Sequence, residues 1–240
     1  MHCKLTGFIA TTLFLASSAA QAICAIPSAK YEGGDFGAEA VASKGCFNSV
    51  VNGGNGSTFA AVTDAPVTGV RSSANIQTGV MTAYSDNGFA SSAMWDTLTF
   101  SGLPSIGASL TETLFLTGSM TGDASGSITL RAGRPSDSSA LSQSWSLSAG
   151  NVPASVSITF EAHNGVPVMI FGSMLASGSP GNIADLLDPP TLAISTPGGV
   201  TYTSASGQFS NVSPVPEPAT YALLLSGLAL MTFARRRRQS

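Results

Sequence analysis

Two stretches of this chain alternate with a period that an extended strand satisfies and a helix does not. In residues 141–148 (LSQSWSLS), Leu141, Gln143, Trp145 and Leu147 fall on one side and serines fill the other. In residues 155–162, Val156, Ile158, Phe160 and Ala162 alternate with Ser155, Ser157, Thr159 and Glu161. A helix would scatter these apolar side chains around its surface, whereas a strand gathers them on one burial-ready face. No long segment sustains a 3.6-residue period. Further strands are expected at 57–63, 76–84, 89–100, 109–118, 125–132, 166–175, 191–195 and 200–209.

Glycine, proline and asparagine punctuate these runs, at Asp86-Asn87-Gly88, Gly122-Asp123, Gly133-Arg134-Pro135, Gly178-Ser179-Pro180-Gly181 and Pro197-Gly198-Gly199. Asn164-Gly165 between two alternating runs predicts a type I′ hairpin. Many short strands joined by turns indicate an all-β ectodomain, an antiparallel β-sandwich of jelly-roll-like form. Residues 33–56 are the least patterned stretch, rich in glycine (GGDFG, NGGNG), and read as loops with irregular edge strands at most. Residues 182–187 read as one helical turn before Pro189-Pro190. Trp95 and Trp145 share strand faces with apolar residues and are expected in the core.

Both ends of the chain read as addresses. Residues 5–18 form an apolar run of signal-peptide length behind Lys4. Ala20-Gln21-Ala22 supplies the small–x–small pattern of a signal-peptidase site, so residues 1–22 read as a signal peptide cut after Ala22. Ile23 before Cys24 argues against lipoprotein processing. Cleavage removes Cys3 and leaves Cys24 and Cys46, an even pair that reads as a disulfide in an oxidising compartment. Its 23-residue loop would contribute about 3 kcal/mol in the chain-entropy account. No metal site follows from these residues, because His163 is the single histidine after cleavage.

The body, 23–213, carries little charge. Residues 23–214 hold five basic and twelve acidic side chains, a net of −7, with no basic stripe, which argues against nucleic acid as a partner. No nucleophile elbow, zinc-protease helix or phosphate loop is present in the sequence. The carboxylates are scattered, and His163 reads as a turn-flanking surface residue rather than a general base. No catalytic residue and no cofactor are assigned, and the chain is expected not to be an enzyme.

Residues 214–240 carry the most specific signal. Pro216, Glu217 and Pro218 form a short piece that the two prolines keep extended and out of helix or ladder, as a processing cleft requires. Residues 219–234 (ATYALLLSGLALMTFA) form an uncharged apolar stretch, read as a short transmembrane helix. At ~1.5 Å per residue it spans about 24 Å, crossing with some local thinning. Arg235, Arg236, Arg237 and Arg238 form a stop-transfer cluster that stays in the cytoplasm.

This order of Pro-Glu-Pro, apolar helix and arginine cluster resembles the PEP-CTERM sorting signal of Gram-negative bacteria, and Ala219-Thr220 after the motif fits as well. More loosely, residues 92–102 and 199–207 resemble stretches found in such proteins. The resemblance implies recognition by an exosortase, a membrane-embedded cysteine transpeptidase or protease. It further implies an inner-membrane intermediate followed by delivery to the cell surface or an exopolysaccharide matrix. The expected partners are therefore signal peptidase and the export machinery, the exosortase, the inner membrane before processing, and exopolysaccharide. The expected role is non-enzymatic, structural or adhesive, in a surface or biofilm setting. The alternative is a secreted carbohydrate-binding module or hydrolase using the same address.

Overall fold

The computed structural model describes residues 34–44, 48–63, 69–133, 140–188, 190–209 and 212–214. Alternation of apolar and polar side chains in these residues builds two sheets packed face to face, the expected β-sandwich. Strands are numbered in chain order. One sheet runs β10 (Leu141–Ser148), β9 (Ser125–Gly133), β12 (Pro167–Gly178), β6 (Gly88–Ser101), β1 (Phe36–Lys44) and β2 (Asn48–Asn55). The short β15 (Thr201–Ser204) pairs with the end of β6 that β1 leaves free.

The facing sheet contains β3 (Phe59–Val62), β4 (Val70–Asn75), β5 (Val80–Ser85), β7 (Ala108–Phe115), β11 (Ser155–Ala162) and β14 (Thr191–Thr196). The short β8 (Ser119–Met120) and β13 (Ala184–Leu186) pair with each other, and β13 pairs with β5 beyond the point where β14 meets it. The last described strand, β16 (Val212–Pro214), lies parallel to β14.

The core sits between the sheets. On one side Met94, Leu98, Phe100, Ile128, Leu130 and Ile170 point inward. Leu110, Leu114, Met81, Leu192 and Ile194 meet them from the other. Small residues set the spacing. Ala38, Ala40 and Ala42 of β1 and Ala74 and Ala83 opposite are all fully buried. At Gly172 an added Cβ would come within 2.9 Å of the Met81 side chain.

Several sequence expectations are corrected. Residues 36–44 are not a loop or an irregular edge but strand β1, inserted between β6 and β2 and buried on both faces. Its alanines hide the strand from any search for large apolar residues, yet alanine is what a tight sheet-to-sheet approach requires. Residues 182–187 form a bridge from Asn182 to Ser179 and then β13, not a helical turn.

Asn164-Gly165 is not a type I′ hairpin. Gly165 has φ +71° but Asn164 does not share a positive φ, and the turn passes from β11 in one sheet to β12 in the other. The Asn164 side chain instead brackets Leu103, accepting from its amide at 2.9 Å and donating to its carbonyl at 2.7 Å. Asp86-Asn87 likewise crosses between sheets, from β5 to β6. The predicted strand 76–84 begins with the turn 76–79, and β4 before it was not expected.

One inward position breaks the apolar rule. Glu112 of β7 is fully buried between Leu110 and Leu114, and neither carboxyl oxygen has a hydrogen-bond partner among the described residues. Burial pushes its pKa well above the ordinary value of 4.5. The main chain at Phe171, across the core, offsets only part of that shift and is not in hydrogen-bonding geometry. Glu112 is therefore carried as a neutral acid.

The unfolded chain ionises this group at its ordinary pKa, so its contribution to stability is complete below about pH 4.5. That contribution is lost as pH rises from there through the folded-state value, at up to about 1.4 kcal/mol per pH unit. Urea unfolding across pH 4–8 should show this decline in the parent protein. Glu112→Gln, which keeps the shape but cannot ionise, should flatten it.

Candidate functional site

The expected sorting residues Pro216, Glu217 and Pro218 and the arginines 235–238 lie outside the described residues. So do Ala20 and Ala22 of the signal-peptidase site, the cysteines 24 and 46, and the apolar stretch 219–234. The structure does describe the residues that lead into the sorting motif. Val212, Ser213 and Pro214 pair with Ile194, Ser195 and Thr196 in parallel register. The last described strand therefore finishes at the end of the sandwich where β14 finishes. Turns 102–107, 163–166 and 197–200 gather there too, because β6, β11 and β14 all end on that side.

Between β15 and β16 the chain is pinned by Asp96. This residue lies on the inward face of β6 at the point where β1 stops and β15 begins, and it is 1% exposed. Ser204 Oγ donates to its Oδ2 at 2.7 Å, Ser206 Oγ donates to the same oxygen, and the Ser206 amide donates to Oδ1 at 3.2 Å. The Ala205 amide bonds the Thr97 carbonyl at 2.9 Å.

Tyr202 packs on Phe100 with ring centroids 6.3 Å apart and donates its hydroxyl to the Phe209 carbonyl at 2.9 Å. Burial, and then the charge of Asp96, raise the Tyr202 phenol pKa. An open groove of about 440 Å³ lies over this segment, lined by Val200, Thr201, Tyr202, Ser204, Gly207 and Phe209. Asp96 thus fixes the path of the last strand-to-strand connection before the sorting motif. In the sequence Asp96 is one of the scattered carboxylates, with nothing nearby to mark it. The serines 204 and 206 that match it are more than a hundred positions away, and period alone cannot pair them.

A second constellation lies at the opposite end of the facing sheet. Arg71 of β4 stacks over the Tyr84 ring of β5 at 5.2 Å, and Asp86 and Asp185 lie beside that phenol. Burial raises the Tyr84 pKa first. The charge of Asp86 adds to it, Arg71 opposes it, and Asp185 and a hydrogen bond with Asp86 raise it further. Arg71 is exposed and Tyr84 half-buried, so the cluster offers a cation, a ring and two carboxyls to solvent. The two tryptophans do not play this part. Trp95 is 1% exposed and Trp145 is packed against the core. His163 is exposed beside its turn, as expected of a surface histidine.

The described residues form a two-sheet antiparallel β-sandwich, and the chain's C-terminal tail follows its last described strand. Comparison with known proteins identifies that tail: the PEP-CTERM protein-sorting motif matches residues 214–238. The chain thus carries the signal of an exosortase-sorted, exported protein that passes through a membrane-anchored intermediate on its way to the cell surface. No curated protein matches the chain. Among solved structures, TmCBM61 in complex with β-1,4-galactotriose is similar at 12% identity, over 57% of this chain and 81% of that one, with a TM-score of 0.27.

Removing the pin should be measurable. Asp96→Ala takes away three hydrogen bonds at a buried position and should cost about 2–3 kcal/mol in urea unfolding. Hydrogen exchange at the Ala205 amide should accelerate well beyond that of amides in β9 and β12.

Proposed function

We propose that this protein is a non-enzymatic structural or adhesive component of the cell surface or extracellular matrix, delivered by an exosortase and associated with exopolysaccharide. The observation that carries this reading is the position of the sorting motif. It begins at Pro214, in the last described strand, so the sandwich lies wholly on the N-terminal side of the sorting motif.

In this reading a signal peptide ending at Ala22 starts export. The apolar stretch 219–234 holds the intermediate in the inner membrane, and the arginines 235–238 keep its end in the cytoplasm. Pro216-Glu217-Pro218 is then presented just outside the bilayer. Replacing these three residues by alanine should leave the full-length precursor in the inner-membrane fraction. Release and gel mobility identical to the parent protein would defeat the exosortase reading.

The polysaccharide contact is assigned to the cluster of Arg71, Tyr84, Asp86 and Asp185. A partly exposed ring flanked by charged groups suits a sugar, which offers apolar C–H faces and many hydroxyls. The cluster is at the end away from Pro214, so a body tethered by its tail would hold these residues outward. Retention of the purified protein on the host's own exopolysaccharide should fall at least several-fold for Tyr84→Ala and Arg71→Ala, with the far-ultraviolet circular dichroism unchanged. Turnover of that polysaccharide by the parent protein would instead favour a secreted hydrolase.

A further inference from the structure

Three turns meet at the end of the sandwich where β14 and β16 finish: 102–107 after β6, 163–166 after β11 and 197–200 after β14. They are packed on one another. An added Cβ at Gly107 would approach the His163 ring to 2.6 Å, and one at Gly102 would approach the Gly199 carbonyl oxygen to 2.8 Å. Leu103 is buried and bracketed by Asn164. The Gly107 amide closes the tip by donating to the Pro104 carbonyl at 2.9 Å. On this braced tip Ile106 is 88% exposed, more than any other large apolar side chain among the described residues. Singly exposed apolar residues are ordinary on a protein surface. Ile106 is set apart by where it stands relative to the tail.

We propose that this end of the sandwich is a membrane-contact surface: in the anchored precursor the turn 102–107 rests in the headgroup layer, with Ile106 at the boundary of the acyl chains. The inference rests on the anchoring role proposed for residues 219–234, and it adds which part of the body meets the lipid.

The ladder registers give the distances. Ser213 of β16 is level with Ser195 of β14, and Ser195 with Thr111 of β7. From Thr111 back to Ala108 the strand runs about 10 Å toward this end at ~3.3 Å per residue, and the turn 104–107 lies beyond it. From Ser213 to Ala219, where the apolar stretch starts, the chain reaches about 20 Å when fully extended. The turn therefore stands within about 10 Å of the level where the apolar stretch begins. A tail that is less than fully extended brings it closer. That gap matches one headgroup layer, about 5–8 Å on each side of the ~30 Å hydrocarbon core. At about 24 Å the apolar stretch is shorter than that core, which draws the body toward the bilayer rather than letting it stand off.

Charge agrees with this orientation. None of the three turns contains Asp, Glu, Lys or Arg. Glu161 of β11 stands behind them, opposite Ser109. Charged groups are costly at a lipid boundary, and Asp86 and Asp185 lie at the far end of the sandwich. Leu141, 51% exposed at the start of β10, adds a second apolar side chain at the near end, since β10 starts and β12 starts where β9 finishes.

The test uses the full-length precursor inserted in vesicles of phosphatidylethanolamine and phosphatidylglycerol. In a Trp145→Phe background, fluorescence of the Ile106→Trp variant should be quenched several-fold more by phosphatidylcholine brominated high on its acyl chains than that of Ile183→Trp, whose site adjoins β13 at the far end. In the unsubstituted precursor, a lipid carrying a diazirine at the same depth should label 102–107 and not 179–182; this measurement decides if either variant does not fold. A precursor that resists alkaline carbonate, yet is quenched or labelled equally at both ends, overturns the proposal and leaves the anchoring intact. One that carbonate extracts overturns both. Absence of lipid labelling together with slowed amide exchange at 105–106 would make a second copy the occupant and overturn the proposal as well.

Discussion

The close approach of the two sheets is what the rest of the molecule depends on, and it is set by small side chains. Ala38, Ala40 and Ala42 let β1 lie against the facing sheet without a gap. Gly172 lets Met81 and Leu192 reach across the middle. A larger residue at any of these points would push the sheets apart and expose Leu110, Leu114 and Met94 to water, forfeiting packing that no other contact replaces. The same tight interior makes Glu112 costly. Its carboxyl has no hydrogen-bond donor among the described residues, and burial favours the neutral form.

The two polar constellations lie at opposite ends of the sandwich. One end holds the exit strand β16 beside the ends of β6, β11 and β14, and Asp96 fixes how the chain reaches it. The other end holds Arg71, Tyr84, Asp86 and Asp185. A body tethered through its C-terminal tail would turn the first end to the membrane and the second to the surroundings. Chain polarity alone produces this separation, because β14 points to the exit end and β5 runs antiparallel to it.

The strands that the sequence made legible were those with large side chains on one face, such as β11; of the two tryptophans expected in the core, Trp95 is buried in a smaller cluster apart from it and Trp145 packs against it partly buried. β1 was missed because both of its faces are buried, so the period-two contrast between apolar and polar residues vanishes. The turns at Asn164-Gly165 and Asp86-Asn87 were recognisable as turns. Whether a turn folds a strand back into its own sheet or carries it to the opposite one depends on partners elsewhere in the chain. For Asn164 that partner is Leu103, 61 positions away. The Asp96 site was unreadable for the same reason.

What the sequence determined by itself is local: an all-β chain, and a C-terminal signal whose three parts are contiguous and need no fold to be recognised. Alternation, turn chemistry and a Pro-Glu-Pro motif are properties of neighbouring residues, and physics acts on them before any long-range contact forms. The tertiary structure decided which strands are central, which carboxyls are buried, and which residues meet at the two ends. Those outcomes follow from pairing between strands far apart in the chain. The free energy of each pairing rests on the closure of the whole sandwich rather than on any stretch of it.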